Sequence, residues 1–190
     1  MNGTRIVLAA GTLAVALCAY ATAEAPTIAS LLKPLKLTAY RPGTVPPDFT
    51  GQTLDARAVS MSGLRGRVVL VNFWASWCAE CRPEMPVLDR LYRELAPKGL
   101  VVLGINARED TQAVKRYASE LNLRFPLVLD PAGAINQLYG VVGIPATFLV
   151  ARDGRAVAFA IGPRDWGGAD ARALLEALLA EPSVREGWPL

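Results

Sequence analysis

Between Val68 and Trp74 the chain reads VVLVNFW, an apolar, largely β-branched run with no alternation, opening two residues after Gly66. Such a run suits a strand covered on both faces. Downstream, Met85, Leu88, Leu91 and Leu95 recur at helical spacing until Pro97 and Gly99 stop the element, and Pro86 inside that pattern predicts a kink. LVVLGIN, residues 100–106, predicts a second buried strand. Val114, Tyr117, Ala118 and Leu121 then fall on one face of a helix that Asp110 or Thr111 can cap. PLVLD reads as a short strand and AINQLYG as a short helix ended by Gly140. ATFLVARDGRAVAFAIG reads as a hairpin turning at Asp153-Gly154. Last, Asp170 opens the amphipathic ARALLEALLAE, which Pro182 closes.

Right-handed crossovers make the first two main strands parallel, and the hairpin adds an antiparallel edge. The expected class is α/β, a three-layer α/β/α sandwich with a mixed central sheet spanning residues 46–182. Residues 24–45 are rich in proline and turn formers and hold no sustained period, so they read as a tether; residues 183–190 form a tail.

Residues 1–23 carry one basic residue, Arg5, followed by an uncharged stretch from Ile6 to Ala23 with small residues at Ala21 and Ala23. That stretch is longer than the roughly 7 to 15 residues of a signal-peptide core and at the short end of the roughly 17 to 25 that span a bilayer. Two fates follow, cleavage after Ala23 or retention as an anchor with the basic end inside. Either way the domain is exported, and the membrane is met only through this segment. Cys18 follows the bulky Leu17, which argues against lipoprotein processing.

Composition narrows the chemistry. The 190 residues, 52% of them hydrophobic, suit one ordinary domain plus extensions. A net charge of +3, with no basic run, gives no footprint for nucleic acid. The chain has no histidine, which removes Ser-His-Asp triads, Cys-His pairs and HExxH zinc sites. Thiols, carboxylates or amines must carry any reaction.

Cys78 and Cys81 bracket Ala79 and Glu80 at the junction between the first strand and the first long helix. A helix N-terminus offers unpaired N–H groups that stabilise a thiolate, and CxxC cysteines so placed have pKa values of about 3.5 to 7.5 instead of about 8.5. Cys81, one turn on, can reach back to resolve a mixed disulfide. The competing readings are an inert disulfide and half of a zinc site. The first is ordinary in an exported protein but closes too small a loop to remove much chain entropy. The second lacks the remaining ligands.

VVLVNFWASWCAECRPEMPVL resembles the active-site region of the exported thioredoxin-like thiol-disulfide oxidoreductases of the TlpA, ResA and DsbE/CcmG kind, which serve cytochrome c maturation and related periplasmic reduction. YGVVGIPATFLVARDGR resembles the proline loop and hairpin of the same family, and the likeness covers about residues 46 to 180. It implies a thioredoxin fold with Cys78 as nucleophile and Cys81 as resolving thiol; no cofactor is expected, and the expected function is reduction of protein disulfides, with a disulfide-donating oxidase or isomerase and a non-catalytic binding module as the alternatives. The implied partners are a disulfide- or thiol-bearing protein, apocytochrome c among the options, and a membrane thiol electron donor.

The resemblance also makes Pro145 a cis-proline and sets the Ile144 backbone to pair an extended substrate segment. From the residues alone, an X-Pro bond is trans in all but about 5 to 6% of cases. Asn72 stands where cytosolic thioredoxins have a buried acid, and the family offers Glu109 as the proton acceptor instead. Glu109 equally suits a first helical turn. Trp74 and Trp77 frame the site or simply pack. Relatives commonly have proline where Glu80 stands, and a carboxylate there opposes the Cys78 thiolate and favours a more reducing pair.

Overall fold

The computed structural model describes residues 26–182. The expectations for the leader, Cys18 and the tail lie outside those residues. Among the described residues, no helix is long and apolar enough to cross a membrane.

The predicted strands form the middle of the sheet: β4 (Val68–Trp74), β5 (Leu100–Asn106), β6 (Leu127–Leu129), β7 (Ala146–Val150) and β8 (Ala156–Ile161). The predicted helices are α2 (Glu84–Leu95), α3 (Thr111–Glu120), α4 (Ala134–Leu138) and α5 (Ala169–Ala180). Asp110 caps α3 by accepting the Ala113 N–H at 2.8 Å. At the hairpin turn Gly154 has φ +86°, the left-handed conformation a tight turn needs.

Four further elements stand where no period was legible: α1 (Ile28–Leu32), β1 (Thr38–Ala39), β2 (Thr50–Thr53) and β3 (Ala58–Ser60). They complete an eight-stranded sheet of order β1-β8-β7-β4-β5-β6-β2-β3. β4 runs parallel to β5 and antiparallel to β7. The hairpin is therefore internal rather than an edge, because β1 pairs with β8 on its outer side.

The tether reading fails for the same reason. Leu32, Leu35 and Leu37 are all buried, in one cluster with the helices α2 and α5. Those leucines straddle a helix end, Pro34 and a left-handed Lys36, so neither a 2 nor a 3.6 period links them. Pro86 also behaves otherwise than expected: it is the third residue of α2, where the N–H has no intrahelical partner to lose, so it need not kink the helix.

β4 divides the core. Val68, Leu70 and Trp74 face one cluster with α1, α2, α3 and α5, while Val69, Val71 and Phe73 face a second with α4. The three-layer sandwich is thus asymmetric, its second helical layer being one short helix. Asn72 alternates onto the first face, which holds both cysteines.

Candidate active site

The cysteines sit in a chain of turns rather than in the helix itself. Cys78 N–H bonds to Ala75, Cys81 N–H to Cys78 and Glu84 N–H to Cys81 before α2 begins. The helix starts at Glu84, as the spacing from Met85 implies, and therefore six residues later than an N-terminus at Cys78 would require. The electrostatic consequence survives, because the Cys81 N–H still points at Sγ of Cys78, 3.1 Å away. The two cysteines form a disulfide, with Cα atoms 5.3 Å apart. Cys78 is 7% exposed and Cys81 is fully buried, so an attacking partner reaches the first sulfur.

The loop before them is clamped. The Glu109 carboxylate accepts the Ser76 N–H at 2.7 Å, the Ser76 hydroxyl, and Nδ2 of Asn106 at 2.7 Å. Ser76 lies two residues before Cys78, and Asn106 ends β5. Glu109 therefore ties the cysteine loop to the neighbouring strand, with three donors on its two oxygens. That geometry suits bracing better than the proton transfer the resemblance implied.

Trp74 and Trp77 divide their roles. Trp74 is fully buried and stacks on Tyr117 at 4.9 Å between centroids. Gly104 makes room for it, since a Cβ there would stand 2.9 Å from Trp74 Nε1. Trp77 is 70% exposed immediately beside Cys78. Ala79 and Glu80 are both exposed between the cysteines.

The Ile144–Pro145 peptide is cis. β7 pairs Ala146 with Phe73 and Thr147 with Asn72, so the register carries Pro145 to the carboxyl end of β4, where the cysteine loop leaves the sheet. The Pro145 carbonyl is held by the Gly162 N–H at 2.7 Å. Val142, on the same loop, and Ile161, at the end of β8, are exposed and add apolar surface.

Sequence reasoning missed a buried acid. Glu84, 6% exposed, opens α2, and its Oε1 accepts the Arg164 N–H at 2.6 Å. Burial pushes its pKa up to about 7, against a softening pull from the Arg164 N–H and charge. Trp166 and Asn72 approach the carboxylate without completing a hydrogen bond and soften the rise further. Asn72 is itself buried, donating to Thr147 Oγ1 at 3.0 Å. The missed signal lay in spacing: Glu84 falls three after Cys81, next to Met85 and four before Leu88, on the stripe that faces the core.

Among the described residues no group of three or more histidine, cysteine, aspartate or glutamate side chains could hold a metal.

This arrangement has relatives. Residues 42–158 match the AhpC/TSA family. A ResA thiol-disulfide oxidoreductase of Bacillus thuringiensis subsp. konkukian is 33% identical over 115 residues, 60% of this chain and 66% of that one, so the chain spans just under two thirds of it. ResA of Bacillus anthracis is 34% identical over 63% of this chain and 69% of its own length. A thiol:disulfide interchange protein of Chlorobium tepidum superposes with a TM-score of 0.65 at 29% identity, over 74% of this chain and 99% of that one. With a family match over more than half of the chain and a ResA relative covered over more than two thirds of its length, the chain belongs to the AhpC/TSA family and, within it, to the thioredoxin-like thiol-disulfide oxidoreductases that include the ResA proteins.

Proposed function

We propose that this protein works as a reductant of protein disulfides outside the cytoplasm. The observation that carries the reading is the pairing of a reachable Cys78, whose sulfur receives the Cys81 N–H, with a fully buried Cys81 behind it. In the dithiol form the Cys78 thiolate attacks one sulfur of a substrate disulfide. A mixed disulfide forms and the other substrate sulfur leaves as a thiolate. Cys81 then gives its proton to a base and attacks Sγ of Cys78, releasing the second substrate thiolate and leaving the Cys78–Cys81 disulfide. Two electrons pass to the substrate, and a membrane thiol donor restores the pair.

Glu84 fits the base. Its N–H is held by the Cys81 carbonyl one turn back, at 3.1 Å, and burial raises its pKa to about 7, which together suit it to take a thiol proton and return it at neutral pH. Glu109 holds the loop, while Trp77, Val142 and Ile161 offer apolar contacts to a segment pairing with the Ile144 backbone. The haem-attachment cysteines of an apocytochrome c belong to the class of extended substrate this face accepts. The leader of residues 1–23 delivers the domain to that compartment, cleaved or kept as an anchor.

The test is reduction of insulin disulfides by dithiothreitol with the protein as catalyst. Wild type accelerates precipitation of the B chain, and Cys78→Ser abolishes the acceleration. Unchanged catalysis in Cys78→Ser sinks the reading and leaves the disulfide an inert staple.

A further inference from the structure

We propose that Arg164 is a positioning residue for Glu84, and that through it the segment before the domain becomes part of the site. The inference rests on the reading of Glu84 as the base. The Arg164 main chain and side chain do different work. Its N–H holds Oε1 of Glu84 at 2.6 Å. Its guanidinium reaches three carbonyls: Nη1 donates to Gly162 at 3.1 Å and to Pro163 at 2.8 Å, and Nη2 donates to Lys36 at 3.3 Å.

Those carbonyls belong to two structures, the loop after β8 and the segment between α1 and β1. Gly162 also donates its N–H to Pro145, so the guanidinium braces the residue that holds the cis-proline. Lys36 lies between Leu35 and Leu37, which pack in the same cluster as Cys78, Cys81 and Trp166. The loop from Gly162 to Trp166 has no regular backbone pairing of its own beyond such bonds. The brace works together with the Trp166 N–H, which donates to the Arg164 carbonyl at 2.9 Å, to fix where the Arg164 N–H points. Arg164 is half-buried: its Nε is buried with no partner among the described residues, while its bonds to Pro163 and Lys36 lie at the surface, so the three carbonyls are what hold the head group in place.

Arg164 is also the charged group that faces Glu84. Asn72 from β4 and Trp166 from the same loop are uncharged, and Cys81, whose carbonyl takes the Glu84 N–H, is locked in the disulfide. A titration of the oxidised protein therefore reads Glu84 without interference from the thiols.

The experiment follows the infrared carboxyl band of Glu84 against pH in the oxidised full-length chain, held in detergent, with the band assigned by its loss in Glu84→Gln. Arg164→Ala raises the midpoint by about one pH unit, a tenfold change in proton affinity, through loss of the opposed charge and of the held N–H. Arg164→Lys keeps the charge but not the three-way fork, and it restores the midpoint only in part. An unmoved midpoint in both variants overturns the proposal, and full restoration by lysine overturns it too, since charge alone would then suffice. If Arg164→Ala does not fold, Arg164→Lys decides: a raised midpoint supports positioning and an unchanged one refutes it. The base assignment fails separately, if Glu84→Gln leaves the rate and pH profile of disulfide exchange untouched while the Arg164 variants still shift the band.

Discussion

The backbone N–H of Cys81 donates to Sγ of Cys78 across 3.1 Å, so the sulfur nearer the surface has a donor from the protein itself. In the dithiol form that bond favours charge on Cys78 and leaves Cys81 as the thiol. Alkylation of Cys78 in Cys81→Ser is expected to follow a midpoint below the ordinary value of about 8.5. The same variant should accumulate a mixed disulfide with substrate, visible as a mass increase, whereas Cys78→Ser should accumulate none. A Cys78 midpoint at or above the ordinary value would remove the basis for its role as attacker.

Glu84 makes stability depend on pH in a predictable sense. Its pKa rises from 4.5 in the unfolded chain to about 7 in the folded one, so between those values the unfolded state gives up a proton that the folded state keeps. The folded state is therefore favoured below that window and loses stability as pH rises through it, by up to about 3 kcal/mol. Thermal melts of the oxidised protein at pH 5 and pH 7.5 should show a drop that Glu84→Gln lacks. Equal drops in the two proteins would place the pH dependence elsewhere.

Removing the Glu109 carboxylate should loosen the cysteine loop. Glu109→Ala strands the buried Asn106 amide, at about 1 to 3 kcal/mol, and the half-buried Ser76 N–H, at less because water can reach it. Chemical denaturation should report that loss. Disulfide exchange should slow without a shift in its pH midpoint, because Glu84 is intact. A shifted midpoint would return Glu109 to the role of proton acceptor.

Trp77, at 70% exposure, should matter to partners and not to folding. Trp77→Ala is expected to leave stability within about 0.5 kcal/mol. Reduction of a protein disulfide should fall several-fold, while reduction of a small linear disulfide stays near wild type. Equal losses on both substrates would mean the ring shapes the loop instead of meeting the partner.

The middle of the sheet and the cysteine site were legible because their signals are dense. VVLVNFW and LVVLGIN have no polar interruption except Asn72 and the terminal Asn106, and the WCAEC and GIP stretches carry their chemistry in adjacent residues. The edges were not. β2 and β3 are short and exposed or half-buried apart from Thr53, so they show no alternation to read. Glu84 and Arg164 were missed for another reason: a charged residue in a first helical turn or a loop is ordinary, and only the contact across 80 positions distinguishes them.

The buried leucines before the domain give that lesson a test. Leu35 is 5% exposed, so Leu35→Ala should cost about 2 to 4 kcal/mol in chemical denaturation. A flexible tether would tolerate the change.

The most direct test of the central claim is the redox potential of the Cys78–Cys81 pair, equilibrated against dithiothreitol or glutathione and read by the mass shift on alkylation. A reductant is expected to give one two-electron transition near or below about −250 mV. A transition near about −120 mV would make the protein a disulfide donor, and a pair that stays oxidised at every poise would contradict the mechanism altogether.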